Sequence, residues 1–226
     1  MTDLLWTLDP AARATVLLAH GAGVPMDSSF MTRMAEGLAS RGLAVARFEF
    51  GYMAKRRTTG KKAPPPKAEK LIPEYRAAIE AVLAAPQRVG PLVIGGKSMG
   101  GRVAAMTAGE ALPDEVVAVV CLGYPFHGPG RPEEIRLAPL QSGRLPTLVA
   151  QGERDDFGNR AEVEGLDVGA RTRFVWIEDG SHDFGPRGAS PATLKGNIAV
   201  ACDAVADLAL GFTAAAGADD ATPPGA

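Results

Sequence analysis

The sequence predicts an α/β domain built on a mostly parallel, doubly wound sheet with helices on both faces. Short apolar runs alternate with amphipathic stretches in strict order, glycine or proline separates them, and the 226 residues are 46% hydrophobic and 22% charged. Runs that are apolar throughout suit strands buried on both faces, and strict strand–helix alternation implies right-handed βαβ crossovers. A chain of this length buries roughly 70% of its unfolded surface, so it needs neither a disulfide nor a metal to hold a core.

Ala14 to His20 is an apolar run closed by Gly21-Ala22-Gly23, which marks the first strong strand. Asp27 is positioned as an N-cap for a helix through Phe30, Met31, Met34 and Leu38, which Gly42 ends. Leu43 to Phe50 reads as a strand, and Pro73 opens a helix whose face carries Tyr75, Ile79, Val82 and Leu83 before Pro86. Pro91 to Gly95 is the next strand, followed at once by a small-residue helix from Ser98 to Ala111. Glu115 to Leu122, Pro146 to Ala150 and Arg171 to Ile177 are the remaining strands, and Leu4 to Leu8 supplies an edge strand. Ile198, Ala201, Val205, Leu208 and Phe212 define a last amphipathic helix. One domain therefore covers residues 1–212, and the Ala/Gly/Asp/Pro stretch 213–226 is expected to be a disordered tail.

Charge and composition exclude several classes. With 24 basic against 26 acidic residues, the chain lacks the basic excess of a nucleic-acid binder. Cys121 and Cys202 fall in a strand and a helix, without a second cysteine or histidine at metal-ligand spacing, and read as core residues. No apolar run approaches the roughly 18 residues of a membrane-spanning helix, so no membrane association is expected. The opening residues Met1 to Trp6 lack a charged region leading into an apolar stretch, and a cytoplasmic location is expected. Oligomeric state is not legible in these residues.

The sharpest feature is Gly96-Lys97-Ser98-Met99-Gly100, set directly between a buried strand and a helix. In this nucleophile-elbow pattern a tight turn strains the serine and exposes it at the end of the sheet, while glycines on either side allow close approach to neighbouring backbone. Gly96-Lys97-Ser98 also ends a phosphate-binding loop, but that loop needs a glycine where Pro91 stands, and residues 91–95 are the strand itself. A serine hydroxyl needs a base, and the base needs an orienting carboxylate. In folds with this elbow they arrive in the order serine, acid, histidine, each after a strand. Gly152-Glu153-Arg154-Asp155 follows one late strand and Asp179-Gly180-Ser181-His182 the next, nominating His182 as base and Asp155 as acid, ahead of Asp156 and Glu153. The backbone N–H groups of Met99 and of Ala22, with Gly23 as the alternative, are the candidate oxyanion donors; His20 is read as orienting that loop. This chemistry calls for no metal and no cofactor, only a small acyl substrate.

These segments, with Met26-Asp27-Ser28, Phe48-Glu49-Phe50, Gly123 to His127 and Glu178 to Phe184, resemble the small α/β-hydrolases related to dienelactone hydrolase. The subgroup most similar is the testis-expressed hydrolase-like proteins, whose fold also occurs in a scaffold subunit of an animal histone acetyltransferase complex. The resemblance covers residues 14–210 and implies the α/β-hydrolase fold, with the triad on Ser98, Asp155 and His182. It implies no particular substrate. Residues 123–145 are too few for a large cap domain, so the site should be open or covered only by loops, which favours small soluble esters.

Tyr52 and His127 are candidate pocket residues; Tyr124, Phe126 and His127 read equally as loop packing. Trp6 and Trp176 fall on strands and read as core. Seven of the sixteen residues 55–70 are basic, with Pro64-Pro65-Pro66 among them. This is either a solvated surface loop or a surface that attracts an anionic substrate or acidic partner. The function classes are thus a serine hydrolase or, alternatively, a non-catalytic module that keeps the fold and binds a partner through the basic segment. If the segment steers an anionic substrate, KM rises as ionic strength is raised; a KM independent of salt leaves the solvated loop.

Overall fold

The computed structural model describes residues 2–219, with side chains described through Thr213. Seven strands form one sheet: β1 (Leu4–Thr7), β2 (Ala14–Ala19), β3 (Leu43–Phe48), β4 (Leu92–Lys97), β5 (Val116–Leu122), β6 (Thr147–Gly152) and β7 (Thr172–Ile177). Their order is β1-β3-β2-β4-β5-β6-β7, with β1 antiparallel to β3 and every other pair parallel. The helices are α1 (Ser29–Ala39), α2 (Gly51–Thr59), α3 (Ile72–Leu83), α4 (Met99–Thr107), α5 (Ala138–Gln141), α6 (Arg160–Val163) and α7 (Leu194–Asp219). The predicted class is therefore met. The crossover between β5 and β6 holds the one-turn helix α5 in place of a large cap.

Strand alternation divides the core into two layers. Val16 and Leu18 meet Met31, Met34 and Leu38 of α1 and Ala201, Cys202 and Val205 of α7. Leu17 and Ala19 face the other way, onto Tyr75 and Ile79 of α3 and Val103 and Ala104 of α4. The chain proceeds outward from β2 to β3, then returns to place β4 on the other side of β2. The carboxyl ends of β2 and β4 are thus the topological switch point, where open α/β sheets bind ligands.

Several boundaries differ from the sequence reading. Helix α1 begins after Ser28; Asp27 accepts two hydrogen bonds from Arg57 instead, at 2.9 and 3.0 Å. Strand β3 stops at Phe48, and the basic segment begins as helix α2 rather than as a loop. Only Met53 of α2 is buried, so periodicity gave no sign of it. Its start is fixed from outside, by Glu74 of α3, whose Oε2 accepts from Gly51 N–H at 2.5 Å. Its end is the left-handed Gly60, at φ 69°. Helix α4 closes at Thr107, short of Ala111. Helix α7 runs to Asp219, so the first part of the expected tail is helical; residues 220–226 lie outside the described residues.

The expectation about apolar length also needs correction. Leu194–Thr213 within α7 is long and apolar enough to cross a membrane by length and composition, with a mean hydropathy of 1.3. Six large aliphatic side chains (Leu194, Ile198, Val200, Val205, Leu208 and Leu210) carry most of that average, with five alanines adding to it. Its buried residues Ile198, Ala201, Cys202, Val205 and Ala209 belong to the core layer on the α1 side of the sheet.

A side chain of α3 stiffens the approach to the switch point. The buried Tyr75 hydroxyl donates to Gly95 O at 2.6 Å and accepts from Gly95 N–H at 2.8 Å. Tyr75→Phe strands both backbone groups and should cost about 1–3 kcal/mol. Denaturant unfolding should show this as a lower midpoint at an unchanged slope.

Candidate active site

Ser98 is forced into the turn between β4 and α4 with φ 50° and ψ −115°, backbone angles that a side-chain-bearing residue rarely adopts. The turn persists because its flanks pack without side chains. A Cβ on Gly100 would stand 2.5 Å from Ala19 O and 2.7 Å from His20 O, and one on Gly96 would overlap Ala19 O. Ser98 N–H donates to Leu122 O at 3.0 Å, fastening the turn to β5. Met99 opens α4, so its N–H is one of the first-turn donors without an intrahelical acceptor.

The loops after β6 and β7 bring His182 and Asp155 together. His182 Nδ1 lies 2.8 Å from Asp155 Oδ2 and 3.0 Å from Oδ1, and the carboxylate is fully buried. Phe157 N–H donates to Asp155 Oδ1 at 2.8 Å and Gln151 Nε2 to Oδ2 at 3.0 Å, so both oxygens are held. Asp156, the neighbouring candidate, is exposed. Glu153 ties the loops instead: it accepts from Asp179 N–H at 3.0 Å and pairs with Arg160 at 2.9 Å. The Asp179 N–H is the first cause, ahead of Arg160, of its depressed carboxyl pKa.

Residues 20–23 form a loop in which the carbonyls of Gly21, Ala22 and Gly23 are each held by a side chain. His20 Nε2 accepts from Phe50 N–H at 3.2 Å, so the proton sits on Nδ1, which donates to Gly21 O at 2.7 Å. Burial holds this imidazole below its usual pKa. Tyr52 Oη donates to Ala22 O at 2.8 Å and Arg56 Nη1 to Gly23 O at 3.1 Å, both from α2. A trans peptide points its N–H opposite to its C=O, so pinning these carbonyls also sets the amides of Ala22 and Gly23. His20 orients the loop as the sequence suggested, and Tyr52 acts on it from behind.

A cleft of about 250 Å³ opens over the switch point, lined by Ala22, Gly23, Val24, Ser98, Phe157 and His182. A larger hollow of about 590 Å³ lies at the amino ends of the strands, beside Pro113 and Phe212, away from these groups. Not every nominated residue reaches the cleft. His127 is buried, bonded through Nδ1 to Gly128 O at 2.8 Å and facing Glu162 at 3.4 Å. Tyr124 and Phe126 are buried core. Of the basic segment, Arg57 bridges Asp27 and Glu49 and Arg56 holds Gly23 O, so two of its cations are used internally. Phe157, whose ring lies 4.3 Å from the His182 ring, Gln151 and Lys97 escaped the sequence reading. Their signals were present: two stand within four residues of Asp155 in the chain and one next to Ser98. Among the described residues, no group of three or more metal-ligating side chains is present.

This fold and this site define the α/β-hydrolase class, with a strained serine at the switch point and a histidine–carboxylate pair beside it. A family model described as an alpha/beta hydrolase domain matches residues 12–209, and the chain belongs to that family. Among solved structures it is similar to a dienelactone hydrolase from Anabaena variabilis, at 24% identity and TM-score 0.66, covering 95% of this chain and 91% of that one. It is similar to Est1E from Butyrivibrio proteoclasticus with ferulic acid bound, at 14% identity and TM-score 0.68, covering 94% and 96%. An α/β serine hydrolase without lid from Xanthomonas campestris matches at 20% identity and TM-score 0.61, covering 90% and 89%. At these identities the likeness is one of fold.

The loop that carries His182 is anchored by Asp179, at φ 47°, which accepts from Arg187 N–H at 2.8 Å and pairs with Arg154 and Arg187 at 2.7 Å. The Arg187 N–H and then the guanidiniums hold its carboxyl at about 2, below the ordinary 3.8. A depressed carboxyl pKa adds stability that is complete above the unfolded value and lost as pH falls through the folded one. Asp179→Asn keeps a residue that tolerates positive φ and removes the charge. Thermal melts should place the wild type above the variant at pH 7, with the gap closing as pH drops from 3.8 towards 2.

Proposed function

We propose that this protein is a serine hydrolase that cleaves an ester or related acyl bond of a small soluble substrate, a carboxylesterase-like activity. The observation that carries the reading is the strained Ser98 sharing a cleft with His182, whose Nδ1 is bonded at 2.8 Å to the buried Asp155. Strain of this kind is held only where the surroundings over-determine it, and it clusters at functional sites.

In this mechanism Ser98 Oγ attacks the acyl carbonyl carbon while His182 Nε2 takes its proton. Asp155 fixes the tautomer with the proton on Nδ1 and stabilises the imidazolium that forms. The oxyanion accepts from the N–H groups of Ala22 and Met99, each worth about 10²–10³ in rate. His182 then protonates the leaving group, and a water activated by the same imidazole releases the acyl group and regenerates Ser98. Ser98 Oγ has no hydrogen-bond partner among the described residues; such bonds are often long before substrate arrives and tighten on binding. The cleft size, the absence of a large cap among the described residues and the dienelactone hydrolase and ferulic-acid-bound neighbours all favour a compact ester. The binding-module alternative is weakened by the inward use of Arg56 and Arg57.

Exposure to a small fluorophosphonate should add one adduct by intact mass to the wild type and none to Ser98→Ala. Asp155→Asn, which disturbs the tautomer, should slow labelling by about 10⁴-fold. A wild type that takes up no label removes the catalytic reading.

A further inference from the structure

Lys97 precedes the nucleophile and is the last residue of β4. Strand alternation turns it away from the face of Gly96 and α4, onto the side of α1 and the loop after β7. There Nζ donates to the backbone carbonyl of His182 at 2.8 Å, lies 3.3 Å from Asp183 Oδ1 and sits 5.3 Å from the Phe30 ring centre. Its nearness to the imidazole is bounded by Gly123: a Cβ built there would be 3.1 Å from Nζ and 3.3 Å from His182 Cε1.

The energetics of this placement are unfavourable for the fold. The Lys97 side chain is 4% exposed, whereas its ion-pair partner Asp183 is 73% exposed. A solvated carboxylate compensates a buried ammonium poorly. Burial lowers the amine from its ordinary 10.5 to about 8, against the opposing attraction of Asp183 and Asp155. The charged and titratable groups facing it are thus Asp183 and His182 on the loop after β7 and Asp155 on the loop after β6. An apolar side chain of similar length would fill the same space without the desolvation cost. The ammonium has a reason to be here if the reaction uses it.

We propose that Lys97 is a positioning residue for Ser98 chemistry: its ammonium holds the carbonyl, and with it the ring, of His182 at the nucleophile. The inference rests on the serine-hydrolase reading above. Two substitutions separate the hydrogen bond from the charge. Lys97→Gln keeps a donor for the His182 carbonyl and loses the charge, whereas Lys97→Met loses both.

The test is the fluorophosphonate labelling rate of wild type, Lys97→Met and Lys97→Gln at pH 7, with thermal melts of all three. Lys97→Met should label roughly tenfold slower than the wild type, and Lys97→Gln should recover most of that loss. Both should melt at or above the wild type at pH 7. Because the folded pKa is the lower one, deprotonation favours the fold, so the stability advantage of Lys97→Met should shrink as pH rises from about 8 to 10.5.

Labelling rates equal to the wild type overturn the proposal, as does a Lys97→Gln variant that labels no faster than Lys97→Met, or a loss of rate that goes with a lower melting temperature, which would make Lys97 a structural prop. If Lys97→Met fails to fold, Lys97→Leu takes its place as the variant without a donor. A wild type that takes up no label overturns the serine-hydrolase reading, and this inference falls with it; a labelled wild type with unmoved variants overturns the role of Lys97 alone.

Discussion

Backbone meets backbone at the crossing of β2, β4 and α4, with no side chain between. The carbonyls of Ala19 and His20 lie where a Cβ on Gly96 or Gly100 would have to go. That closeness lets α4 start immediately after β4, and the immediate start is what puts Ser98 at φ 50°. Strain of about 1–3 kcal/mol at one residue must be offset by its surroundings. The paired strands, the fully buried β2 and β4, and the Tyr75 hydroxyl on Gly95 provide a frame that does not relax.

The same frame orders the rest of the site. Parallel strands all end on the same side, so the loops after β2, β4, β6 and β7 converge although far apart in sequence. Each brings one kind of group: pinned amides, a strained serine, a buried carboxylate and an imidazole. The carboxylate is held at both oxygens, by Phe157 N–H and Gln151 Nε2. That leaves little freedom for the His182 ring beyond the orientation in which Nδ1 meets it.

How much of this was legible in the sequence follows from where each signal resides. The strands β2, β4 and β5 were readable because burial on both faces makes them apolar throughout. Ser98 was readable because glycines close to it are demanded by local geometry, and His182 because it follows a late strand. Asp155 against Asp156 is a matter of one residue of loop path, set by bonds from Gln151 and Phe157 that periodicity does not report. Helix α2 was illegible because its start depends on Glu74, over twenty residues away, and because it buries little. His127 misled because a histidine at a strand's carboxyl end is a fair pocket residue; here its ring is taken up by Gly128 and Glu162. Lys97 went unmarked because a lysine reads as surface, and only strand parity places it inside.

The pinned loop at residues 20–23 carries a thermodynamic consequence for selectivity. With the carbonyls of Gly21, Ala22 and Gly23 held by His20, Tyr52 and Arg56, the amides need no ordering when a ligand arrives. Little binding energy is then consumed in assembling the site, so even a molecule with few atoms to contribute can be bound productively. The corollary is a loss of discrimination by closure: a rigid, open site rejects what does not fit its shape, but has no folding step to withhold from a near match. Under the proposed serine-hydrolase chemistry, such a site favours breadth among small acyl groups over strict choice of one.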